Sequence, residues 1–75
     1  MPKLTRLSGE ETIRRLEKLG FQRIRQRGSH VILKKQTSRG DIGCVVPLHK
    51  ELAIGTLHGI LKQANLSVEE FIENL

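Results

Sequence analysis

Apolar residues at helical spacing open the chain. Three of them recur at three-residue steps and share one side of a helix: Ile13, Leu16 and Leu19. Ser8 and Glu11 flank the start of this run with the spacing of a capping box. Gly20 follows at the position that favours a left-handed residue after a helix. The pattern predicts a helix from about Gly9 to Leu19.

The middle of the chain has the composition of three short strands, at residues 21–27, 30–34 and 41–46. Gly28-Ser29 is typical of a turn or a bulge between the first two strands. The polar segment 36–40 ends in glycine, as a hairpin loop does. Pro47 ends the third strand because proline cannot donate a ladder hydrogen bond. Short links between consecutive strands predict an antiparallel meander.

Two helices are predicted after the sheet. Five apolar residues at helical spacing predict the first, from about Gly55 to Gln63. They are Ile54, Leu57, Ile60, Leu61 and Ala64. Ser67 and Glu70 form a second capping box, which opens a short helix. Its apolar side consists of Val68, Phe71, Ile72 and Leu75. The order predicts a single α+β domain over residues 1–75, with the helices on one face of a three-stranded antiparallel sheet.

The size and charge of the chain limit its function. Its 75 residues are too few for the repeated βαβ units of a nucleotide-binding α/β fold, so no cofactor of that class is expected. Thirteen Lys and Arg against eight Asp and Glu give a net charge of +5, which predicts attraction to polyanions. The chain has two Phe, no Trp and no Tyr, which argues against stacking of single-stranded bases on aromatic rings. Recognition of nucleic acid by shape and phosphate needs only Lys and Arg, and it remains open.

Other features indicate an intracellular protein. Cys44 is the only cysteine in the sequence, which excludes an intramolecular disulfide. The first six residues lack the apolar segment of a secretory leader. The longest charge-free run, residues 42–49, is far shorter than the ~20 residues that cross a bilayer. We therefore expect a cytoplasmic location and no membrane partner.

His30 is the strongest candidate for chemistry, since it opens a strand directly after Gly28-Ser29. Three arginines precede it at alternate positions, which share one face of a regular strand: Arg23, Arg25 and Arg27. In RNA cleavage without a metal, a histidine base takes the 2′-OH proton while Arg or Lys stabilises the charge that develops on the phosphate. Gly28-Ser29 would let the backbone approach a phosphate closely. From spacing alone, a histidine that fills space beside a turn is the more common case.

The other polar candidates carry weaker signals. His49 and Lys50 precede the second long helix, whose free amide groups suit a phosphate, but a solvated charged loop explains them equally well. His58 lies one residue from the apolar side of that helix, so a position at the surface or at the edge of the core is the default. A zinc site built from the three histidines, His30, His49 and His58, together with Cys44 would match no common ligand spacing. No metal is predicted.

The second predicted strand is apolar on both faces, at Val31-Ile32-Leu33, although only one face should carry helices. Ile32 shares a face with His30 and Lys34. An apolar face beside a candidate active residue indicates that a second protein covers it. Packing of the terminal helix on that face is the alternative.

Several short motifs follow one another in unbroken order over residues 8–73. They are Gly20-Phe21, Arg25, Gly28-Ser29-His30, Pro47-Leu48-His49-Lys50-Glu51-Leu52 and Gly55-Thr56-Leu57 with Ile60-Leu61-Lys62. This ordered set resembles the HicA family of toxin–antitoxin RNases. The resemblance implies an mRNA interferase with a double-stranded-RNA-binding-domain-like fold, which a HicB antitoxin neutralises. It also implies that His30 is catalytic, with Gly28 and Ser29 as flanking motif residues. Asn65 stands where the family usually has glycine, and asparagine also tolerates a left-handed cap.

The favoured hypothesis is therefore a toxin that cleaves mRNA without a metal, with His30 as general base or acid. Candidate substrate contacts are Arg25, Arg27, Gly28, Ser29, Lys34 and Lys50. The second hypothesis is an RNA-binding module that grips phosphates and performs no chemistry. The third is a protein-interaction domain whose basic face meets an acidic partner.

Overall fold

The computed structural model describes residues 4–73. Six elements follow along the chain: α1 (Gly9–Lys18), β1 (Gln22–Arg27), β2 (His30–Thr37), β3 (Gly40–Pro47), α2 (Ile54–Gln63) and α3 (Val68–Glu73). The strands form one antiparallel sheet in the order β1-β2-β3. The predicted α+β class and element order are confirmed. Leu75, which was predicted on the apolar side of the last helix, lies outside the described residues.

Both predicted capping boxes are formed. The Glu11 N–H donates to Ser8 Oγ and the Ser8 N–H donates to Glu11 Oε1, each at 3.0 Å. Ser67 and Glu70 make the same reciprocal pair at the start of α3. In each box the hydrogen bond from the serine backbone holds the pKa of the glutamate below its ordinary value. The residues that follow α1 and α2 in the left-handed region are Gly20 (φ +101°) and Asn65 (φ +57°).

The core lies between the sheet and the helices. Its fully buried side chains come from both layers: Ile13, Leu16, Val31, Leu33, Val46, Leu57 and Phe71. Val31 and Leu33 alternate along β2 with residues of the opposite face. We call that opposite side the outer face. Its residues are Gln22, Ile24, Arg25, Arg27, His30, Ile32, Lys34, Gln36, Asp41, Gly43, Val45 and Pro47.

A β-bulge interrupts β1 at Ile24. Arg23 pairs with Leu33 and Arg25 pairs with Ile32, so Ile24 is the extra residue of the bulge. The bulge reverses the alternation of side chains. Arg23 lies on the side of buried Leu33, whereas Arg25 lies on the outer face with Ile32. The prediction of three arginines on one face is therefore wrong.

The second hairpin is longer than its sequence indicated. Residues 36–40 were predicted to form a loop, but the pairing of β2 with β3 continues to Thr37 and Gly40. The Arg39 N–H donates to Thr37 Oγ1 at 3.2 Å, and that hydroxyl donates to the Gly40 carbonyl at 2.6 Å. These bonds close a tight turn at residues 38–39, so Gln36 belongs to the sheet.

The start of α1 is packed against the end of β3. The Gly9 N–H donates to the His49 carbonyl at 2.8 Å, and the Leu48 N–H donates to the Ser29 carbonyl at 2.6 Å. Gly9 is buried, and a Cβ atom there would overlap the Pro47 carbonyl oxygen. The segment after β3 therefore joins the turn beside His30 to the first helix.

The terminal helix lies on the same side of the sheet as the other helices. Phe71 of α3 is fully buried in the core, and the guanidinium of Arg15 on α1 lies 5.5 Å from the centre of its ring. On the outer face, Ile24 and Val45 remain 54% and 39% exposed. The alternative that the terminal helix covers the outer face is therefore wrong.

Gln63, at the end of α2, reaches the free edge of the sheet. Its Oε1 accepts a hydrogen bond of 3.1 Å from the Val45 N–H of β3, which is an edge strand. Among residues 4–73, no helix combines the length and the hydropathy that crossing a membrane requires.

Candidate functional site

His30 stands at one end of the outer face. It is the first residue of β2, directly after the turn, and it pairs with Arg27 on β1 and Pro47 on β3. His30 lies in the central strand of the sheet, so the strands on both sides hold its backbone in place. Its side chain is nevertheless exposed.

Two of the predicted cations adjoin His30. Arg27 lies directly opposite it, where paired residues place their Cβ atoms about 4.5–5.5 Å apart. Arg25 pairs with Ile32, which places it on the diagonal from His30, at about 7–8 Å by the same geometry. The bulge at Ile24 is the reason that both arginines, and not Arg23, share this face.

Arg23 belongs to the helix layer and not to the candidate site. Its guanidinium donates to Glu10 Oε1, and its Nε lies 3.5 Å from Glu17 Oε2, both on α1. The hydrogen bond that Arg23 donates to Glu10 is the largest cause of the raised pKa of Arg23. The same bond holds the pKa of Glu10 below its ordinary value. Arg23 is thus a neutralised cation that joins β1 to α1.

The cations of the outer face have no such partners. Across residues 4–73 the ion pairs are Arg6–Glu51, Arg14–Glu10, Arg23–Glu10 and Arg23–Glu17. None of them involves Arg25, Arg27 or Lys34. Asp41 is the one acidic residue in the outer-face set, and it lies at the end remote from His30, opposite Gln36. The outer face around His30 is therefore positive and open to an anion.

Of the turn and the bulge predicted at Gly28-Ser29, the structure has the turn, since Arg27 pairs with His30 on either side of it. Gly28 has φ +58°, which a side chain disfavours, and it occupies the first central position of a two-residue hairpin loop. Ser29 contributes its carbonyl group to the hydrogen bond from Leu48. The segment after β3 thus holds the turn in place. Gly28 and Ser29 both lie beside the end of β2 that carries His30.

Lys34 and Lys50 are not among the residues that strand pairing and the turn place next to His30. Lys34 is on the outer face, but four residues further along β2, or about 13 Å at the usual rise of a strand. Lys50 lines a depression with Ser8 and Glu10 at the start of α1. Of the predicted contact residues, the structure brings together Arg25, Arg27, Gly28 and Ser29 with His30.

The other two histidines lie elsewhere. His49 is exposed beside Lys50, and its carbonyl group receives the hydrogen bond from Gly9. His58 is exposed on α2, so of the two positions predicted for it the structure has the surface one. Within the described range 4–73, no three His, Cys, Asp or Glu side chains are grouped as a metal site requires. Cys44 is buried, and desolvation raises the pKa of its thiol to about 11.

Sequence reasoning missed several polar residues of the outer face. Gln36 was assigned to a loop, and Gln22 and Asp41 were given no role. Together with Lys34 they line one recess at the end of the face remote from His30. Only the register of the strands reveals this grouping, since the four residues are spread over three segments of the chain.

The arrangement around His30 has the components that phosphodiester chemistry requires. An imidazole can accept a proton near neutral pH, and adjacent guanidinium groups can bind phosphate oxygens through two parallel hydrogen bonds. The turn allows close approach of a polymer because Gly28 has no side chain. Exposure on a flat face suits an extended substrate better than a small molecule.

Comparison with known proteins identifies the family of the chain. A family model described as the HicA toxin of bacterial toxin–antitoxin systems matches residues 9–66, which include all of the sheet, α1 and α2. A search of curated proteins found no match. The family match extends over most of the chain and includes His30 with its turn and both adjacent arginines. The chain therefore belongs to the HicA family of toxins from bacterial toxin–antitoxin systems.

Proposed function

We propose that this toxin is a metal-independent endoribonuclease that cleaves mRNA in the cytoplasm, with His30 as its catalytic residue. HicA toxins are generally RNases. The observation that carries the proposal is the position of His30: exposed, in the central strand, and beside two arginines that have no carboxylate partner among residues 4–73.

The chemistry follows from the groups on that face. His30 accepts the proton of a ribose 2′-OH, and the 2′-oxygen attacks the adjacent phosphorus. The bond from phosphorus to the 5′-oxygen breaks, and that oxygen takes a proton from solvent or from the imidazolium. Arg27, with Arg25 beside it, stabilises the additional negative charge on the phosphate in the transition state. The products carry a 2′,3′-cyclic phosphate and a 5′-OH.

The position of Arg27 supports its part in this mechanism. A residue directly opposite His30 can bind the same phosphate whose neighbouring ribose His30 deprotonates. Arg25 and Lys34 lie further along the face and are suited to flanking phosphates. Lys50 lines a depression with Ser8 and Glu10 at the start of α1, where it is a candidate for a further phosphate contact.

A HicB antitoxin is the protein partner that family membership implies. We expect it to cover His30 directly, because the outer face combines unpaired cations with exposed apolar residues at Ile24 and Val45. Carbethoxylation of His30 can be measured by mass spectrometry in the free toxin and in the complex. Equal modification of His30 in the two samples would contradict direct occlusion.

The decisive experiment compares the wild-type protein with His30→Ala and His58→Ala on mRNA in the presence of EDTA. His58→Ala is the matched control, since that histidine is exposed on α2. We expect cleavage by the wild type and by His58→Ala, and none by His30→Ala at equal protein. Mass spectrometry of the fragments should find 2′,3′-cyclic phosphate ends. Circular dichroism must show that both variants are folded.

The other outcomes distinguish the remaining functions. Equal cleavage by His30→Ala would remove that residue from the mechanism. Intact RNA that is nevertheless bound by the wild type would support an RNA-binding module without chemistry. Intact and unbound RNA at low salt would leave a protein-interaction domain with a basic face.

A further inference from the structure

A polar recess lies on the outer face at the end remote from His30. It has a volume of about 210 Å³ and is lined by Gly20, Gln22, Ile24, Lys34, Gln36 and Asp41. Cross-strand pairs bring its walls together, since Gln22 is opposite Lys34 and Gln36 is opposite Asp41. The bulge supplies Ile24, whose side chain is 54% exposed.

The polar side chains of the recess are available to a ligand. Within residues 4–73, no hydrogen bond or ion pair engages the side chains of Gln22, Lys34, Gln36 or Asp41. They offer an ammonium donor, a carboxylate acceptor and two amides that both donate and accept. This is the set of groups that proteins use to read the hydrogen-bonding edges of nucleobases.

We infer that the recess is a nucleobase subsite, which binds an unpaired base that carries an exocyclic amino group. The inference rests on the proposed function, because it assigns base recognition to the same RNA-binding face. The Asp41 carboxylate can only accept hydrogen bonds, so it favours the exocyclic amino groups of adenine, cytosine and guanine. Uracil offers only its N3–H, and the two carbonyl oxygens that flank this group repel a carboxylate. Ile24 provides an apolar surface against which the flat side of the base packs.

The position of the recess relative to His30 fits a single bound strand. Lys34 is four residues from His30 along β2, a separation of about 13 Å. A short stretch of extended single-stranded RNA covers this distance, and Arg25 lies between the two ends of the face. A base in the recess would therefore lie at a fixed offset from the phosphate beside His30.

The test measures binding of short oligo-A, oligo-C and oligo-U to the full chain carrying His30→Ala, which prevents cleavage of the probe. Fluorescence anisotropy at low salt gives the three dissociation constants. We expect oligo-A and oligo-C to bind about three- to tenfold more tightly than oligo-U, which is the range expected for one ordinary net hydrogen bond. Adding Asp41→Asn should bring the three affinities close together.

The control must separate base recognition from a general change in charge. Glu69→Gln removes one negative charge from exposed α3, so it should raise all three affinities alike and leave their ratio unchanged. Equal affinities of the three oligonucleotides for the protein with unsubstituted Asp41 would overturn the inference. The same change in the ratio of affinities with Asp41→Asn and with Glu69→Gln would overturn it too. Absence of RNA binding would overturn it as well.

Cleavage by the protein with an unsubstituted His30 is measured separately. If the protein binds A and C in preference to U but leaves RNA intact, the nucleobase subsite stands and the proposed nuclease activity is wrong. Cleavage with no preference for A or C over U in binding would preserve the nuclease and reject the recess.

Discussion

Replacing Gly9 with alanine should destabilise the fold, although alanine is the better helix former. Gly9 is the first residue of α1 and is buried against the end of β3. A Cβ atom there would overlap the Pro47 carbonyl oxygen and lie 3.0 Å from Leu48 Cα. Real Cβ atoms do not approach backbone this closely, so α1 and the segment after β3 must separate. That separation lengthens the 2.8 Å hydrogen bond from the Gly9 N–H to the His49 carbonyl.

The magnitude follows from opposing effects. Overpacking of a tight contact costs ~1–3 kcal/mol, and loss of a backbone hydrogen bond costs ~1 kcal/mol. Alanine recovers at most ~1 kcal/mol through its helix propensity. We therefore expect Gly9→Ala to lower the free energy of unfolding by about 1–3 kcal/mol. For a chain of 75 residues the total is only ~4–11 kcal/mol, so the loss is a large fraction of it.

Urea unfolding followed by circular dichroism measures this change, and Gly59→Ala is the matched control. Gly59 is exposed in the interior of α2, and a Cβ atom there meets no heavy atom within 4 Å. The same substitution at Gly59 should raise stability by ~0.5–1 kcal/mol. A neutral or stabilising Gly9→Ala would refute the close packing of α1 on β3. The prediction is that the two substitutions change the free energy of unfolding in opposite directions.

The remaining predictions concern charge, pH and the buried thiol. Arg27→Ala should weaken RNA binding and reduce the slope of log affinity against log salt by about 1, whereas Arg14→Ala on α1 should have a smaller effect. Equal salt slopes for the two variants would contradict the assignment of the outer face. The hydrogen bond from Arg23 lowers the pKa of Glu10 in the folded state. The ion pair therefore stabilises the fold above the pKa that Glu10 has in the unfolded chain, and this stabilisation is lost as the pH falls through the pKa of Glu10 in the folded protein. The Tm of Glu10→Gln should therefore fall less than that of the wild type on acidification, and equal losses would reject the ion pair. Burial raises the pKa of Cys44 to about 11, so alkylation of its thiol at mildly alkaline pH should be slow until urea unfolds the chain. Full alkylation of Cys44 in the native protein, measured by mass spectrometry, would contradict that burial.

Signals that depend on neighbouring residues were readable from the sequence. Both capping boxes, the left-handed Gly20 and the six elements follow from local spacing, and the structure confirms them. The position of His30 next to the turn is local too. The resemblance to HicA toxins rests on such short motifs, and the family match confirms it.

Features that depend on contacts across the chain were not readable. The bulge at Ile24 exists because of how β1 pairs with β2, and a period of two applied to β1 alone placed Arg23 on the wrong face. The close approach of Gly9 to Pro47 joins residues far apart in sequence. The recess that includes Gln36 and Asp41 likewise forms only once the strands are in register.

The hydrogen bond from Val45 to Gln63 has a consequence for solubility. An edge strand offers unpaired N–H groups to other chains, and an exposed apolar residue beside them favours edge-to-edge association. Val45 is such a residue, 39% exposed on β3. Its N–H is already engaged by a glutamine from the same chain. A toxin that accumulates free of its partner therefore has one site of self-association closed by its own second helix.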